Sequence, residues 1–446
     1  MREGDVPGLS VALIKDGSVS WHQSFGVRNA DTRVPLDDAT IFEAASLSKP
    51  VFAYAILKLV DQGKLDLDKP LIKYLPERAV PNDERSDLIT ARMVLDHTTG
   101  FQNQVLPKQG LTIYFNPGEK FSYSGEGFLY LQRVVEHVLG EPLEAFMKRT
   151  VFIPLEMKNS SYVWNKNFET LKANGHKASG VVGEIRIPSA ARSSSSLHTT
   201  ALDYAKFVVA MIHRKGLRKE TFDQMFTPQV RLDENCYSCI GKTPGPVSQT
   251  LSWGLGWGLE GSSRGYSFWH WGDNNGEFHN FVLASSKEGT GIVIFSNSGN
   301  GHSIIPTIVG QATGQSHPAF AWMGYEPYDS PGKILLRNIL DRGTLAIRQY
   351  VDDRKKAAGS RVLNEAQMNS LGYSLLGKKR INEAIEVFKI NVEDFPGSSN
   401  AYDSLGEAYM ISGNKKLAIE NYVKSIELNP GNTNGVEMLK KLRDQK

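Results

Sequence analysis

Five positions near the C-terminal end recur at one spacing. Leu371, Gly372, Ala384, Phe388 and Pro396 return 34 residues later as Leu405, Gly406, Ala418, Tyr422 and Pro430. A fixed period of this length means that one supersecondary unit is copied along the chain. Small residues fall where two helices would touch, an aromatic lies on the second helix, and proline marks its end. A single unit of this kind cannot bury its own apolar face, and about three are needed for a stable stack. The clear units span about residues 367–398 and 401–432, and Gly343, Ala346 and Tyr350 keep the second-helix spacing of a degenerate one before them. Residues 333–446 are therefore read as an all-α domain.

Ahead of it, Glu326-Pro-Tyr-Asp-Ser-Pro-Gly332 is dense in turn residues and reads as a linker over 326–332. A chain of 446 residues is too long for one ordinary core. Residues 1–325 then form a domain of mixed pattern. Ser10–Ile14 and Val19–Gly26 are β-rich runs on either side of Asp16-Gly17, a two-residue hairpin signal. From Ser46 to Gly63 the period turns helical, with Ala53, Ile56, Leu57 and Val60 three or four apart. Asn280–Ser285 and Thr290–Ser296 read as paired strands. An outer hairpin, a helical middle and returning strands predict an α+β domain, an antiparallel sheet with helices segregated from it.

Forty per cent apolar and 22% charged residues exclude a disordered chain. A net charge of +3, from 51 basic and 48 acidic side chains, gives no reason to expect nucleic acid or an anionic membrane as partner. Apolar runs such as Val51–Val60 fall far short of the roughly 20 residues that cross a bilayer. The opening Met1-Arg-Glu-Gly-Asp-Val-Pro-Gly8 has no apolar core, so no signal peptide is read there. Its near-immediate entry into a strand suggests a trimmed natural N-terminus, and leaves the compartment unread. The two cysteines, Cys236 and Cys239, lack the second pair that zinc would need and the βαβ setting of a redox pair. They read as a structural loop.

Ser46-Leu-Ser-Lys49 opens the predicted helix. A serine hydroxyl is a poor nucleophile until a base takes its proton, and a three-residue step along a helix brings Lys49 to the same face. The helix N-terminus adds free N–H groups and partial positive charge. The pattern alone is weak, since Ser330–Lys333 and Ser412–Lys415 also match it. The former encloses Pro-Gly and the latter falls in a turn of the repeats, so neither is expected to offer a helical face.

The wider setting is more specific. Val6-Pro-Gly-Leu-Ser-Val-Ala12, Phe42-Glu-Ala-Ala-Ser-Leu-Ser-Lys49, Leu95-Asp-His-Thr-Thr-Gly100, Pro117-Gly-Glu-Lys-Phe-Ser-Tyr-Ser-Gly125 and His270-Trp-Gly272 occur in this order. The set resembles the serine beta-lactamase-related family of class C beta-lactamases, D-alanyl-D-alanine peptidases and related esterases, over roughly residues 6–310. The C-terminal period resembles tetratricopeptide repeats. The resemblance implies a beta-lactamase/transpeptidase-like fold, an antiparallel sheet flanked by helices with an all-α subdomain. It implies that Tyr123 is the catalytic tyrosine, its phenol held partly ionised by Lys49 to relay a proton. Tyr114-Phe-Asn116, a literal Tyr-x-Asn, precedes the Pro-Gly turn and is set aside. His270, Trp271 and Gly272 would line the substrate site, with His270 supplying polarity or charge where relatives carry lysine. The N–H groups of Ser46 and Asp273 would form the oxyanion hole. His97 is expected to be structural, at a helix end capped by Gly100. Trp269 and Trp271 are candidates for an acyl pocket or for core.

One position departs from the pattern. The second motif of the family ends in asparagine, which holds the substrate's amide carbonyl, and here that place is Gly125, followed by Glu126. The departure favours esters and small amides over beta-lactams. The expected function is a Ser46 acyl-enzyme hydrolase, with a D-amino-acid peptidase or a weakly catalytic scaffold as alternatives. No metal or organic cofactor is required. The partners expected are a small acyl substrate and, through the repeats, a peptide, a protein or a second copy. The resemblance also suggests an exported or periplasmic protein.

Overall fold

The computed structural model describes residues 1–234, 236–242, 245–263, 265–356 and 362–444. The chain divides into two compact units. One comprises Met1–Lys177 and Val182–Tyr325, the other Ala178–Val181 and the chain from Glu326. Among the described residues, no helix is long and apolar enough to cross a membrane.

The strands of the first unit are β1 (Gly8–Lys15), β2 (Ser18–Gly26), β3 (Phe42–Glu43), β4 (His198–Thr199) and β5 (Val230–Asp233). They continue with β6 (Val247–Trp253), β7 (Gly258–Ser262), β8 (Gly265–Asn274), β9 (Phe278–Ser285) and β10 (Thr290–Ser296). Eight form one sheet in the order β2-β1-β10-β9-β8-β7-β6-β5, while β3 and β4 pair separately. All neighbours are antiparallel. Asp16 and Gly17 make the first hairpin turn with φ of 51° and 72°, the primed geometry that matches strand twist. The sheet closes on sequence-distant partners, with Val11 of β1 opposite Ile294 of β10.

Burial along the strands shows what covers the sheet. Every residue of β9 is buried, so both of its faces are packed. By contrast, β2 is an edge strand exposed along most of its length. Helix Ala201–Ile212 lies against β1 and β10, and helix Gly301–Thr313 against β9 and β10.

At the centre stands α1 (Ser48–Asp61), whose residues from Ser48 to Leu57 are buried without a break. The apolar stripe at Ala53, Ile56 and Leu57 predicts one buried face. The whole circumference is buried instead, as for a helix packed on all sides. Its start also differs from expectation. Ala45–Leu47 forms a 3₁₀ turn and the α-helix begins at Ser48, so Ser46 belongs to the turn.

In the second unit, helices Glu365–Gly377, Ile381–Asp394, Ser399–Ile411 and Lys415–Leu428 carry the 34-residue period. Tyr373 donates a 2.8 Å hydrogen bond to Glu407 Oε2, one period away. A pair of helices, Pro331–Arg342 and Thr344–Lys356, precedes them. This corrects the linker reading at its end. Pro331 and Gly332 form a first helical turn, because proline at that position lacks only an N–H that would be unpaired anyway. It also corrects the reason for setting Ser330 aside. Ser330 does stand at a helix start, but its hydroxyl caps it, accepting from Lys333 N at 3.2 Å and donating to Glu326 Oε1 at 2.6 Å.

The repeated glycines are steric. A Cβ at Gly372 would lie 2.4 Å from the Phe388 ring, whereas one at Gly406 would lie 3.2 Å from the Tyr422 ring. Gly372→Ala is expected to destabilise the second unit by about 1–3 kcal/mol through overpacking. Gly406→Ala should be close to neutral, since the gain in helix propensity offsets a milder contact. Denaturant melts followed by circular dichroism check the order; equal losses would contradict it.

Candidate active site

The Ser46 turn is built by a tight contact between two backbones. Ala45–Leu47 packs on β8, and a Cβ at Gly272 would come within 2.4 Å of the Ala44 carbonyl oxygen. Glycine at 272 is therefore a steric requirement. Ala45 adopts φ +52°, which costs an L residue roughly 1 kcal/mol. That conformation turns the chain sharply after β3 and delivers Ser46 at the head of α1.

Lys49 Nζ lies 3.0 Å from Ser46 Oγ and 2.9 Å from the Ser194 carbonyl oxygen. It stands 4.7 Å from the centre of the Tyr123 ring. Burial, with a smaller contribution from the Arg192 guanidinium, lowers its pKa to about 7. The neutral amine has two hydrogens and one lone pair. Ser194 O can only accept, so one hydrogen goes there and the lone pair is free to face the Ser46 hydroxyl.

Tyr123 lies beside both, and here the expectation of a partly ionised phenol is overturned. Burial pushes this phenol far above its ordinary value, and its hydrogen bond with Ser46 offsets only part of that. A cation over the ring face does not compensate for a desolvated phenolate. Tyr123 is a neutral O–H donor.

His270 corrects a second expectation. Burial, then the charge of Lys49, lowers its pKa to about 3, so it is neutral and supplies no charge. Its Nδ1 donates to the Trp271 carbonyl oxygen at 2.7 Å. Nε2 is then an acceptor, 3.5 Å from Tyr123 Oη. His97 is also buried and neutral, stacked on Tyr123 at 4.3 Å, its Nδ1 accepting from Ser124 N at 3.0 Å. The left-handed residue ending α2 (Ala91–Leu95) is His97 itself, at φ +61°, rather than Gly100. Thr98 N–H to Met93 O and His97 N–H to Val94 O complete the cap.

Among the described residues, β8 has no strand partner on its β7 side beyond Trp269, which pairs with Gly258. The stretch from His270 to Asn274 thus presents an open edge beside the Ser46 turn. The Asp273 side chain leaves this edge for Tyr325 Oη at 3.1 Å and His279 Nε2 at 3.4 Å. Burial opposes its ionisation, but His279 and the Gly276 N–H outweigh it and keep the carboxyl well below its usual range. Trp271 packs on Tyr123 at 4.8 Å, whereas Trp269 is wholly buried among Trp253 and Trp322. Trp269 is core.

Gly125 is the first residue of α3 (Gly125–Leu139), capped by Ser124. Its N–H donates to Asn103 Oδ1 at 2.9 Å, and a Cβ at 125 would meet the Asn103 carbonyl oxygen at 2.8 Å. Glu126 accepts from Val105 N at 3.2 Å. Several neighbours had no local signal in the sequence: Asn103, Arg192, Ser194 and the Cys236–Cys239 loop. The two cysteines are bonded. Between them, the Tyr237 carbonyl accepts from Tyr123 N at 2.9 Å, and Cys239 N donates to Ser122 Oγ at 3.2 Å. The loop braces the segment before α3 that carries Tyr123. A cleft of about 590 Å³ is lined by Glu126, Tyr130, Gln132, Arg133 and Arg192 among others, but not by Ser46, Lys49, Tyr123 or His270.

Comparison with known proteins gives a consistent placement. The Beta-lactamase family model matches residues 1–305, and a Tetratricopeptide repeat model matches 399–432. Protein flp of Staphylococcus aureus (strain MRSA252) is 23% identical over 319 residues, 67% of this chain and 60% of that protein. Penicillin-binding protein 4* of Bacillus subtilis is 26% identical over 285 residues, 57% of this chain and 60% of that protein. The chain thus spans about 60% of the length of these curated relatives. The octameric penicillin-binding protein homologue from Pyrococcus abyssi superposes with a TM-score of 0.61 at 23% identity, covering 76% of this chain and 79% of that one. For the D-alanine carboxypeptidase AmpC from Burkholderia cenocepacia the TM-score is 0.57 at 17% identity, covering 70% and 95%. These likenesses establish the beta-lactamase/transpeptidase-like fold.

Proposed function

The chain belongs to the beta-lactamase family through residues 1–305, and on that footing we propose that it is a serine hydrolase in which Ser46 attacks acyl carbons with Lys49 as its base. One observation carries this reading: a buried lysine with a pKa of about 7 lies 3.0 Å from Ser46 Oγ. A base poised near neutral pH combines the right protonation state with useful driving force.

Neutral Lys49 takes the Ser46 proton as Oγ bonds to the substrate carbonyl carbon. The resulting oxyanion accepts from the N–H groups of Ser46 and Asp273, each such donor being worth about 3–4 kcal/mol in related chemistry. The Tyr123 O–H protonates the leaving atom as that bond breaks, and Lys49 returns the proton to Tyr123. Water then gives a proton to Lys49, adds to the acyl carbon, and releases the acid as Ser46 is reprotonated.

Activated esters and small amides are the preferred substrates in this reading, with weak beta-lactam turnover. The support is Gly125, which offers no side-chain amide, and Asn103, which occupies the adjoining space. Gly125→Asn is expected to raise amide relative to ester turnover several-fold. It should also cost roughly 1–2 kcal/mol of stability, since the Asn103 loop must yield to the new Cβ. Matched p-nitroanilide and p-nitrophenyl ester assays with a denaturant melt check both parts, and an unchanged ratio would remove the preference for esters. D-amino-acid peptide cleavage is the second reading, favoured by the D-alanine carboxypeptidase among the similar structures. The repeats are proposed to bind a peptide or protein partner.

The deciding experiment is intact mass after incubation with a fluorescent penicillin, alongside hydrolysis of p-nitrophenyl butyrate. A Ser46 adduct that blocks ester turnover supports the hydrolase. Absence of adduct, ester turnover and beta-lactam turnover together would revive the scaffold alternative.

A further inference from the structure

Directly upstream of the nucleophile turn lies a set of paired charges, buried except for the partly exposed Arg186. Glu43 Oε1 is 2.6 Å from Lys172 Nζ, and both side chains are almost wholly inaccessible. Glu43 Oε2 accepts from Asn274 Nδ2 and faces Arg186 Nη1 at 3.7 Å. Arg186 in turn pairs with Glu277 at 2.5 Å. Two carboxylates thus meet two cations, so the set carries no net charge. The backbone of Glu43 is held as well, its carbonyl accepting from Asn280 Nδ2 at 2.9 Å.

These bonds reach both walls of the proposed oxyanion hole. Ser46 follows Glu43 by three residues, and Asp273 directly precedes Asn274. Between Glu43 and Ser46 stands Ala45, whose left-handed conformation persists only if its surroundings over-determine it. On one side Gly272 admits the turn against β8; on the other Glu43 anchors it.

We propose that Glu43 is a positioning residue, a clamp that ties the nucleophile turn to the end of β8 and so fixes the separation of the Ser46 and Asp273 N–H groups. The benefit to catalysis rests on the hydrolase reading above, but the clamp itself is a statement about structure. A misplacement of about 1 Å at such a site can cost on the order of 100-fold in rate.

Asn274→Ala tests this with little risk to folding. It cuts only the link from Glu43 to β8 and leaves the Glu43–Lys172 pair intact. In the full-length protein, kcat for p-nitrophenyl butyrate is expected to fall about tenfold or more, with KM within about twofold of the original. Hydrogen exchange supplies a readout independent of chemistry. The Ala44 N–H, bonded to Leu197 O, and the Leu47 N–H, bonded to Ala44 O, should exchange about tenfold faster once the charge-assisted bond is lost. Amides of helix Ala201–Ile212 should keep their protection. Unchanged exchange at Ala44 and Leu47 overturns the clamp, whatever the ester rate does. Faster exchange in a protein whose unsubstituted form hydrolyses nothing would uphold the clamp and refute the hydrolase reading instead. Faster exchange with an undiminished kcat would overturn the catalytic part of the proposal.

Discussion

Ser46→Ala is expected to abolish acyl transfer, lowering ester turnover by at least about 10⁴-fold while the fold survives. The hydroxyl is small and bonds to Lys49 and Tyr123. Lys49 keeps its bond to Ser194 O without it. No cavity worth filling is left, so the melting temperature should move by only a few degrees. Intact mass reads the chemistry directly. Where the unsubstituted protein gains the mass of a fluorescent penicillin, the alanine variant should gain none. Retained labelling or turnover would place the nucleophile elsewhere.

Lys49 carries the second large effect, and it has a pH signature. Its pKa of about 7 means that the free base grows as pH rises through neutrality. The ester kcat/KM should therefore climb from pH 5 to pH 8 and level off above. Lys49→Arg fixes a proton that cannot be removed, since guanidinium titrates above about pH 12. It should lose about 10³-fold in rate and, with it, the limb near pH 7. A variant that keeps the limb would assign that titration to another group.

The same shift has a sign for stability. The folded-state value of about 7 lies below the unfolded value of about 10.4. Between these the unfolded chain binds more protons, so the stability of the native protein increases with pH across that window. Below pH 7 the cost of charging the buried amine is fully present. Lys49→Met should then melt higher than the unsubstituted protein at pH 6, with the gap closing towards pH 10. A gap that widened with pH would mean that the folded state favours the charged form.

Much of this architecture is legible along the chain because it depends on short-range spacing. The period of 34 residues follows from one helix pair stacking on the next, with Gly372 beneath Phe388 and Gly406 beneath Tyr422. Asp16-Gly17 marks its hairpin because only residues that tolerate positive φ make that turn. Ser46 and Lys49 could be paired because three helical residues bring side chains to one face. Gly272 is visible within His270-Trp-Gly272, although its steric reason, the Ala44 carbonyl, is not.

Protonation was less legible. Tyr123 reads as a phenol tuned by a nearby cation, and His270 as a charge in place of lysine. Both depend on solvent access, which no local pattern reports: burial keeps the Tyr123 phenol protonated, and burial together with the charge of Lys49 keeps His270 neutral. The end of α2 was misplaced as well, at Gly100 rather than at His97, whose positive φ no local pattern reports.

By itself, the sequence determined the repeat, the hairpin, the ordered motifs and the spacing of Ser46 from Lys49, all set by the covalent period of helix and strand. Folding alone sets the solvent access that shifts the pKa of Lys49, and places Asn103, Ser194, the Tyr237 carbonyl and the Glu43–Lys172–Asn274 set around the Ser46, Lys49 and Tyr123 cluster. Those contacts join residues tens to hundreds of positions apart, and desolvation exists only once the chain has closed around them.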